Sequence, residues 1–186
     1  MSENIGVFVA RMQPLHKSHE FLIRQSLKEN DKTFVFIGSA DKSRNKRNPF
    51  TVEEREGLIR KVFFEELMSG KLYIERLNDL TNEDDKENDK VWGKYLYDNI
   101  TKVIQQNIFS IYYSDDPSIM LNWFTDDLKE KINFRFFDRK KLFSELSATK
   151  IREALLTNNE EYLVNNLPYE VYSLKENLAN ILKKIN

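Results

Sequence analysis

Short apolar runs alternate with amphipathic stretches along most of this chain, and that alternation restricts it to a parallel sheet wrapped by helices. Ile5 to Ala10 reads as a first buried strand, Thr33 to Gly38 as a second, Lys71 to Leu77 as a third, Phe109 to Tyr113 as a fourth and Asn133 to Phe137 as a fifth. Helical spacing fills the intervals. Glu20 to Leu27 carries Phe21, Leu22 and Leu27, and Thr51 with Glu54 forms a capping box ahead of Leu58, Ile59, Val62 and Phe63. Val91 to Gln106 brings Trp92, Tyr95, Leu96, Ile100, Val103 and Ile104 to one face, and Pro117 takes the favoured first position of another helix. The expected architecture is α/β and Rossmann-like, a parallel sheet with helices on both faces and a C-terminal helical segment. In such sheets ligands bind beyond the carboxyl ends of the strands.

Two segments stand outside the alternation. Asn78 to Lys90 is too polar to pack and reads as an exposed loop. Pro168 to Ile185 is amphipathic and reads as a helix docking on the core or on a neighbouring subunit of a homo-oligomer. Neither a repeat nor a linker divides the 186 residues, so one domain spanning 1–186 is expected, with 168–186 as its C-terminal helix.

Charge narrows the partners. Lys plus Arg number 29 against 30 Asp plus Glu, which leaves no global basic field for nucleic acid or an anionic membrane. Cysteine is absent, excluding disulfides, thiolate metal sites and thiol catalysis. The amino terminus lacks a basic segment followed by an apolar one, and no apolar run reaches membrane-spanning length, so cytoplasmic residence is expected.

The chemistry concentrates in two places. Arg11-Met-Gln-Pro-Leu-His16-Lys-Ser18-His19 holds both of the chain's histidines, three residues apart, between the first strand and the first helix. Positions i and i+3 share a helix face, and a helix N-terminus beyond a parallel strand offers free N–H groups and a positive dipole end to a phosphate. The alternative is a pair of solvated surface side chains. Further on, Ser147-Ala-Thr149-Lys150-Ile-Arg152 opens a helix with Ser147 as N-cap, but Lys150 stands where a capping box wants Glu or Gln. A first-turn cation opposes the macrodipole by a few tenths to about 1 kcal/mol. That conflict makes sense if an anion sits there; a tolerated surface lysine is the alternative.

These segments resemble, in order, the His-x-Gly-His and Ser-Ser/Gly-Thr-x-Ile-Arg signatures of the nucleotidylyltransferase superfamily, with Ser18 in place of the glycine. Arg-Met-Gln-Pro, together with Gly38-Ser39-Ala40 and Arg47-Asn-Pro-Phe-Thr-Val-Glu-Glu-Arg55, is similar to the archaeal-type nicotinamide mononucleotide (NMN) adenylyltransferase branch. The resemblance implies transfer of AMP from ATP to NMN, giving NAD and pyrophosphate. In it His16 and His19 donate to the transferring phosphoryl oxygens, Arg11 and Arg152 hold the triphosphate with Ser147, Thr149 and Lys150, and Arg47 adds charge. Ser39 belongs to the nucleotide site, Trp92 matches the tryptophan that stacks on nicotinamide, and Asp79 matches an acidic residue upstream of it. Trp92 as a core residue is the alternative. Lys42, Arg44 and Lys46 read either as phosphate contacts or as a solvated loop. Mg²⁺ is expected on the ATP phosphates, since no carboxylate cage is apparent. Pantetheine-phosphate adenylyltransferases and small cytidylyltransferases share both signatures, and Ser18 motivates a further alternative, a catalytically weak nucleotide sensor.

Overall fold

The computed structural model describes residues 3–80, 88–144 and 146–185. Strands β1 (Ile5–Ala10), β2 (Lys32–Ile37), β3 (Leu72–Arg76), β4 (Phe109–Tyr113) and β5 (Ile132–Phe136) form one parallel sheet in the order β3-β2-β1-β4-β5. The expected strands are all present, β1 and β4 to the residue and the other three displaced by one position at each end. Because the chain runs outward from β1 to β3 and then returns to the other side of β1, the switch point lies between β1 and β4.

Helices α1 (Lys17–Glu29), α2 (Val52–Val62) and α3 (Phe64–Met68) precede α4 (Asp89–Ile104), α5 (Pro117–Trp123) and α6 (Asp126–Lys129). Beyond β5 come α7 (Arg139–Phe143), α8 (Ala148–Thr157), α9 (Glu160–Asn166), α10 (Tyr169–Tyr172) and α11 (Lys175–Lys183). The period of two along the strands divides the core into two layers. Phe8, Val35 and Ile37 pack with α1, α2, α8 and the C-terminal helices. Ile5, Val7, Phe34 and Phe36 pack on the opposite face against Leu96, Tyr97 and Ile100 of α4. Helices therefore cover both faces, as a parallel sheet requires.

The local signals explain where helices begin. The Thr51 hydroxyl accepts from the Glu54 N–H at 3.2 Å while the Glu54 carboxylate accepts from the Thr51 N–H at 2.8 Å, the capping box expected for α2. Asp116 caps α5 just before Pro117. Helix α4 starts at Asp89, earlier than its apolar period suggests, because Asn88 accepts from the N–H groups of Lys90 and Val91. Residues 88–90 thus leave the exposed loop expected over Asn78 to Lys90, and residues 81–87 lie outside the described residues.

The single C-terminal helix expected over 168–186 is corrected to two, α10 and α11. The Ser173 hydroxyl donates to the Glu170 carbonyl at 2.8 Å, and the Leu174 N–H bonds Val171 in a tighter i to i+3 turn. The break lets Val171, Leu178 and Leu182 all reach the layer containing α8. Among the described residues, no helix is long and apolar enough to cross a membrane.

Gly93 sets the distance between α4 and α5. A Cβ there would stand 1.8 Å from the Trp123 carbonyl oxygen. Intrinsic propensity alone would make Gly93→Ala favourable by about 1 kcal/mol, whereas overpacking costs about 1 to 3 kcal/mol. A melting temperature lower by several degrees is the expected result of Gly93→Ala in a thermal melt, and a rise would contradict the close packing.

Candidate active site

The site is built where β1 and β2 end. Helix α1 begins at N-cap His16 with no side-chain cap, so its first N–H groups remain available at the positive end of the dipole. The imidazoles of His16 and His19 stack with ring centroids 3.7 Å apart and an interplanar angle of 15°. Phe8 lies against His19 at 5.8 Å. Nδ1 of each ring is enclosed, with no hydrogen-bond partner among the described residues. His16 is 1% exposed, which removes the surface-decoration reading for the pair. Burial, the facing His19 ring and Arg139 hold the His16 pKa well below the ordinary imidazole value. Burial and Arg139 push His19 down to about 3. Both rings are therefore neutral at pH 7, each with one N–H to give.

Around them stand cations with no carboxylate at ion-pairing distance among the described residues. Arg11 follows β1 directly, and Arg152 reaches back across 139 residues to donate to the Gln13 carbonyl at 2.8 Å and to the Thr149 hydroxyl at 3.2 Å. Arg47, exposed, follows an Asx turn in which Asn45 accepts from the Arg47 and Asn48 N–H groups. Arg11, Arg47 and Arg152 have no carboxylate at ion-pairing distance among the described residues. Burial and the neighbouring Arg47 lower the Arg11 pKa, with Asp79 and Asp115 opposing, and burial together with Arg11 lowers that of Arg152. Like charges this close are retained at a cost, and an anion would relieve it.

Ser147 caps α8, accepting from the Lys150 N–H at 3.2 Å, so the first-turn cation expected from the sequence is real. In the loop before α2, two of the cations are already paired. Lys42 pairs with Asp41 at 2.9 Å, and Arg44 pairs with Glu54 while donating to the Pro49 carbonyl. All four cations of this loop are exposed, and Lys42 and Arg44 are the two engaged with carboxylates among the described residues.

Ser39 and Asp79 meet on the β2–β3 side, hydroxyl to carboxylate at 2.8 Å, and the Asp41 carboxylate accepts from the Asp79 N–H at 2.9 Å. Tyr95 donates to the Asn78 carbonyl at 3.0 Å and lies 5.7 Å from Trp92. Trp92 is half-buried, edge-on to Trp123 at 6.1 Å. It therefore has one side in the core and sits on the same side of the site as Asp79. Across the switch point, a cavity of about 490 Å³ opens at the ends of β4 and β5, walled by Ile119, Trp123, Phe136 and the Asp115–Arg139 ion pair. The described residues contain no cluster of three His, Asp or Glu side chains able to hold a metal ion.

Sequence reasoning gave no role to Gln13, Arg55 or Arg139. The buried Gln13 amide donates to the Phe50 carbonyl at 3.1 Å and accepts from the Phe50 N–H at 2.9 Å, tying the histidine loop to the segment entering α2. Only the fold brings these stretches together. Arg139 starts α7 and joins the site from the far end of the sheet.

A cytidylyltransferase-like family model matches residues 7–154. The chain is 33% identical over 116 residues to the nicotinamide-nucleotide adenylyltransferase of Halobacterium salinarum, covering 62% of this chain and 57% of that one. It is 30% identical over 152 residues to the nicotinamide-nucleotide adenylyltransferase of Thermococcus kodakarensis, covering 81% of this chain and 72% of that one. The chain thus spans less than two thirds of the Halobacterium relative. In fold it resembles a bifunctional NMN adenylyltransferase/ADP ribose pyrophosphatase from Francisella tularensis, solved with AMP and a manganese ion, at a TM-score of 0.67 and 19% identity over 99% of this chain and 52% of that chain. A doubly wound sheet, two ordered signatures joined at one site and a family match over most of its length agree: the chain belongs to the cytidylyltransferase-like family of nucleotidyltransferases.

Proposed function

We propose that this protein transfers AMP from ATP to NMN, forming NAD and releasing pyrophosphate. The observation that carries this reading is the stacked, neutral histidine pair in a loop that Arg11 opens and Arg152 grips, at the carboxyl end of the central strand. An oxygen of the NMN 5′-phosphate attacks the α-phosphorus of ATP in line, and the bond from that phosphorus to the β-phosphate bridging oxygen breaks, its electrons leaving with pyrophosphate. No general base is required, because a phosphate monoester with a second pKa near 6 is largely dianionic at pH 7. Positioning and electrostatic stabilisation do the catalysis.

His16 and His19 donate to the oxygens of the transferring phosphoryl. Arg11 and Arg152 hold the triphosphate with Ser147, Thr149 and Lys150, and Arg47 adds charge nearby; the guanidinium fork suits this because it meets phosphate oxygens bidentately. Asp79, held by Ser39, and Trp92 take the nicotinamide side. The cavity at the ends of β4 and β5 is left for adenosine, whose flat face suits its aromatic walls. Mg²⁺ bound to the ATP phosphates would neutralise charge there, beside the cations Arg11, Lys150 and Arg152 that hold the triphosphate. The reading takes residues 1–186 as one nucleotidylyltransferase domain.

The test is incubation with ATP, Mg²⁺ and NMN, with nicotinate mononucleotide and pantetheine phosphate as parallel acceptors, followed by separation of products. NAD and pyrophosphate in equal amounts are expected. Turnover only with pantetheine phosphate, or only with CTP as the nucleotide donor, would move the protein elsewhere in the family.

A further inference from the structure

Arg55 is the largest fully buried side chain described, at 0% exposure, on the face of α2 that also carries Val52, Leu58, Ile59 and Val62. A buried guanidinium ordinarily takes a carboxylate. Among the described residues this one takes only backbone carbonyls: Nη1 donates to Arg11 at 2.8 Å and to Gly38 at 2.7 Å, Nη2 to Ser39 at 3.0 Å, and Nε to Thr51 at 3.2 Å. Those carbonyls belong to three separate segments, the exits of β1 and β2 and the cap of α2.

Two of those segments turn sharply at residues that are not glycine. Met12 has φ of 49° and Ser39 has φ of 47°, in the left-handed region that side chains disfavour. Such a conformation persists where its surroundings over-determine it. Arg55 binds the carbonyl just before Met12 and the carbonyls on both sides of the Ser39 turn. From one of these turns the Arg11 side chain departs, and from the other the Ser39 hydroxyl that holds Asp79.

We propose that Arg55 is a positioning residue that fixes the Arg11 turn and the Ser39–Asp79 turn in register, so that the two substrates meet with their phosphates in line. The proposal rests on the adenylyltransferase reading above. Lysine is no substitute, because one ammonium cannot reach carbonyls of three segments in the planar fork that a guanidinium presents.

The test compares wild type with Arg55→Lys and with the neutral Arg55→Gln, each assayed below its melting temperature and normalised to the folded fraction. If wild type makes no NAD, the adenylyltransferase reading fails before Arg55 is reached. With wild type active, Arg55→Lys is expected to raise the KM for NMN about tenfold and to lower kcat about 10- to 100-fold, since displacements of about 1 Å cost rate on that scale. Arg55→Gln is expected to be at least as impaired. Ser39→Ala should raise the KM for NMN in wild type and raise it much less in the Arg55→Lys background, because both changes release Asp79. A purely structural arginine predicts lower melting temperatures with KM and kcat per folded molecule unchanged, and with Ser39→Ala acting independently. That result, or failure of both variants to fold at any temperature tried, would overturn the proposal.

Discussion

His19→Ala is expected to lower kcat by about 10² to 10³ while leaving the KM for ATP within a few fold, the effect of removing one donor aimed at developing transition-state charge. The stacked geometry makes His19 a specific choice. Its ring stacks on His16 and lies against Phe8, so its N–H has a fixed direction before substrate arrives. A preorganised donor contributes to the barrier more than to ground-state binding. His19→Gln retains an N–H donor on an arm of similar reach but greater freedom and should lose less. Steady-state kinetics with both substrates saturating provide the check, and unchanged turnover in folded His19→Ala protein would remove the assignment.

The same histidines should leave a mark on stability. His19 is pushed down to about 3 and His16 also lies well below the ordinary value of 6.5. Between about pH 6.5 and 3 the unfolded chain binds protons at these positions that the folded chain does not. Stability therefore falls as pH falls through that window. His19→Gln should flatten the slope of melting temperature against pH between 6.5 and 4.5. Equal slopes would show that burial does not hold His19 neutral.

How far the sequence carried the argument depends on the distance over which each interaction acts. The strands were legible because β1 and β2 are buried on both faces and read as continuous apolar runs, and α2 was legible because Thr51 and Glu54 satisfy each other locally. The break between α10 and α11 was not, since Ser173 closes on its own backbone without interrupting the amphipathic period. In the site, the histidine pair and the Ser147 cap are local patterns and stood out. Arg55 works through carbonyls supplied by Arg11, Gly38 and Ser39, which no spacing brings together. One signal was there: a charged residue in the stripe of Val52, Leu58, Ile59 and Val62, where a cation is out of place unless something buried requires it. The engagement of Lys42 and Arg44 with Asp41 and Glu54 was equally hidden, because composition counts a cation without showing its partner.

Trp92→Ala is expected to raise the KM for NMN by about one to two orders of magnitude, from the loss of about 1 to 3 kcal/mol of stacking between indole and nicotinamide. The KM for ATP should change little, because the triphosphate is assigned to Arg11, Lys150 and Arg152. The structure makes the experiment sharper than the sequence did. Trp92 packs edge-on against Trp123 and lies half-buried over the layer that holds Leu96 and Ile100, so truncation must also cost stability. A wholly buried tryptophan would cost about 3 to 5 kcal/mol on truncation, and a half-buried one should cost less. Trp92→Phe keeps a flat aromatic face against Trp123 and should recover most of both losses. Measured below the melting temperature, the stacking role predicts a KM defect confined to NMN. The core role predicts equal losses toward NMN and ATP that track the folded fraction, and vanish once activity is normalised to it; that pattern would refute the stacking assignment.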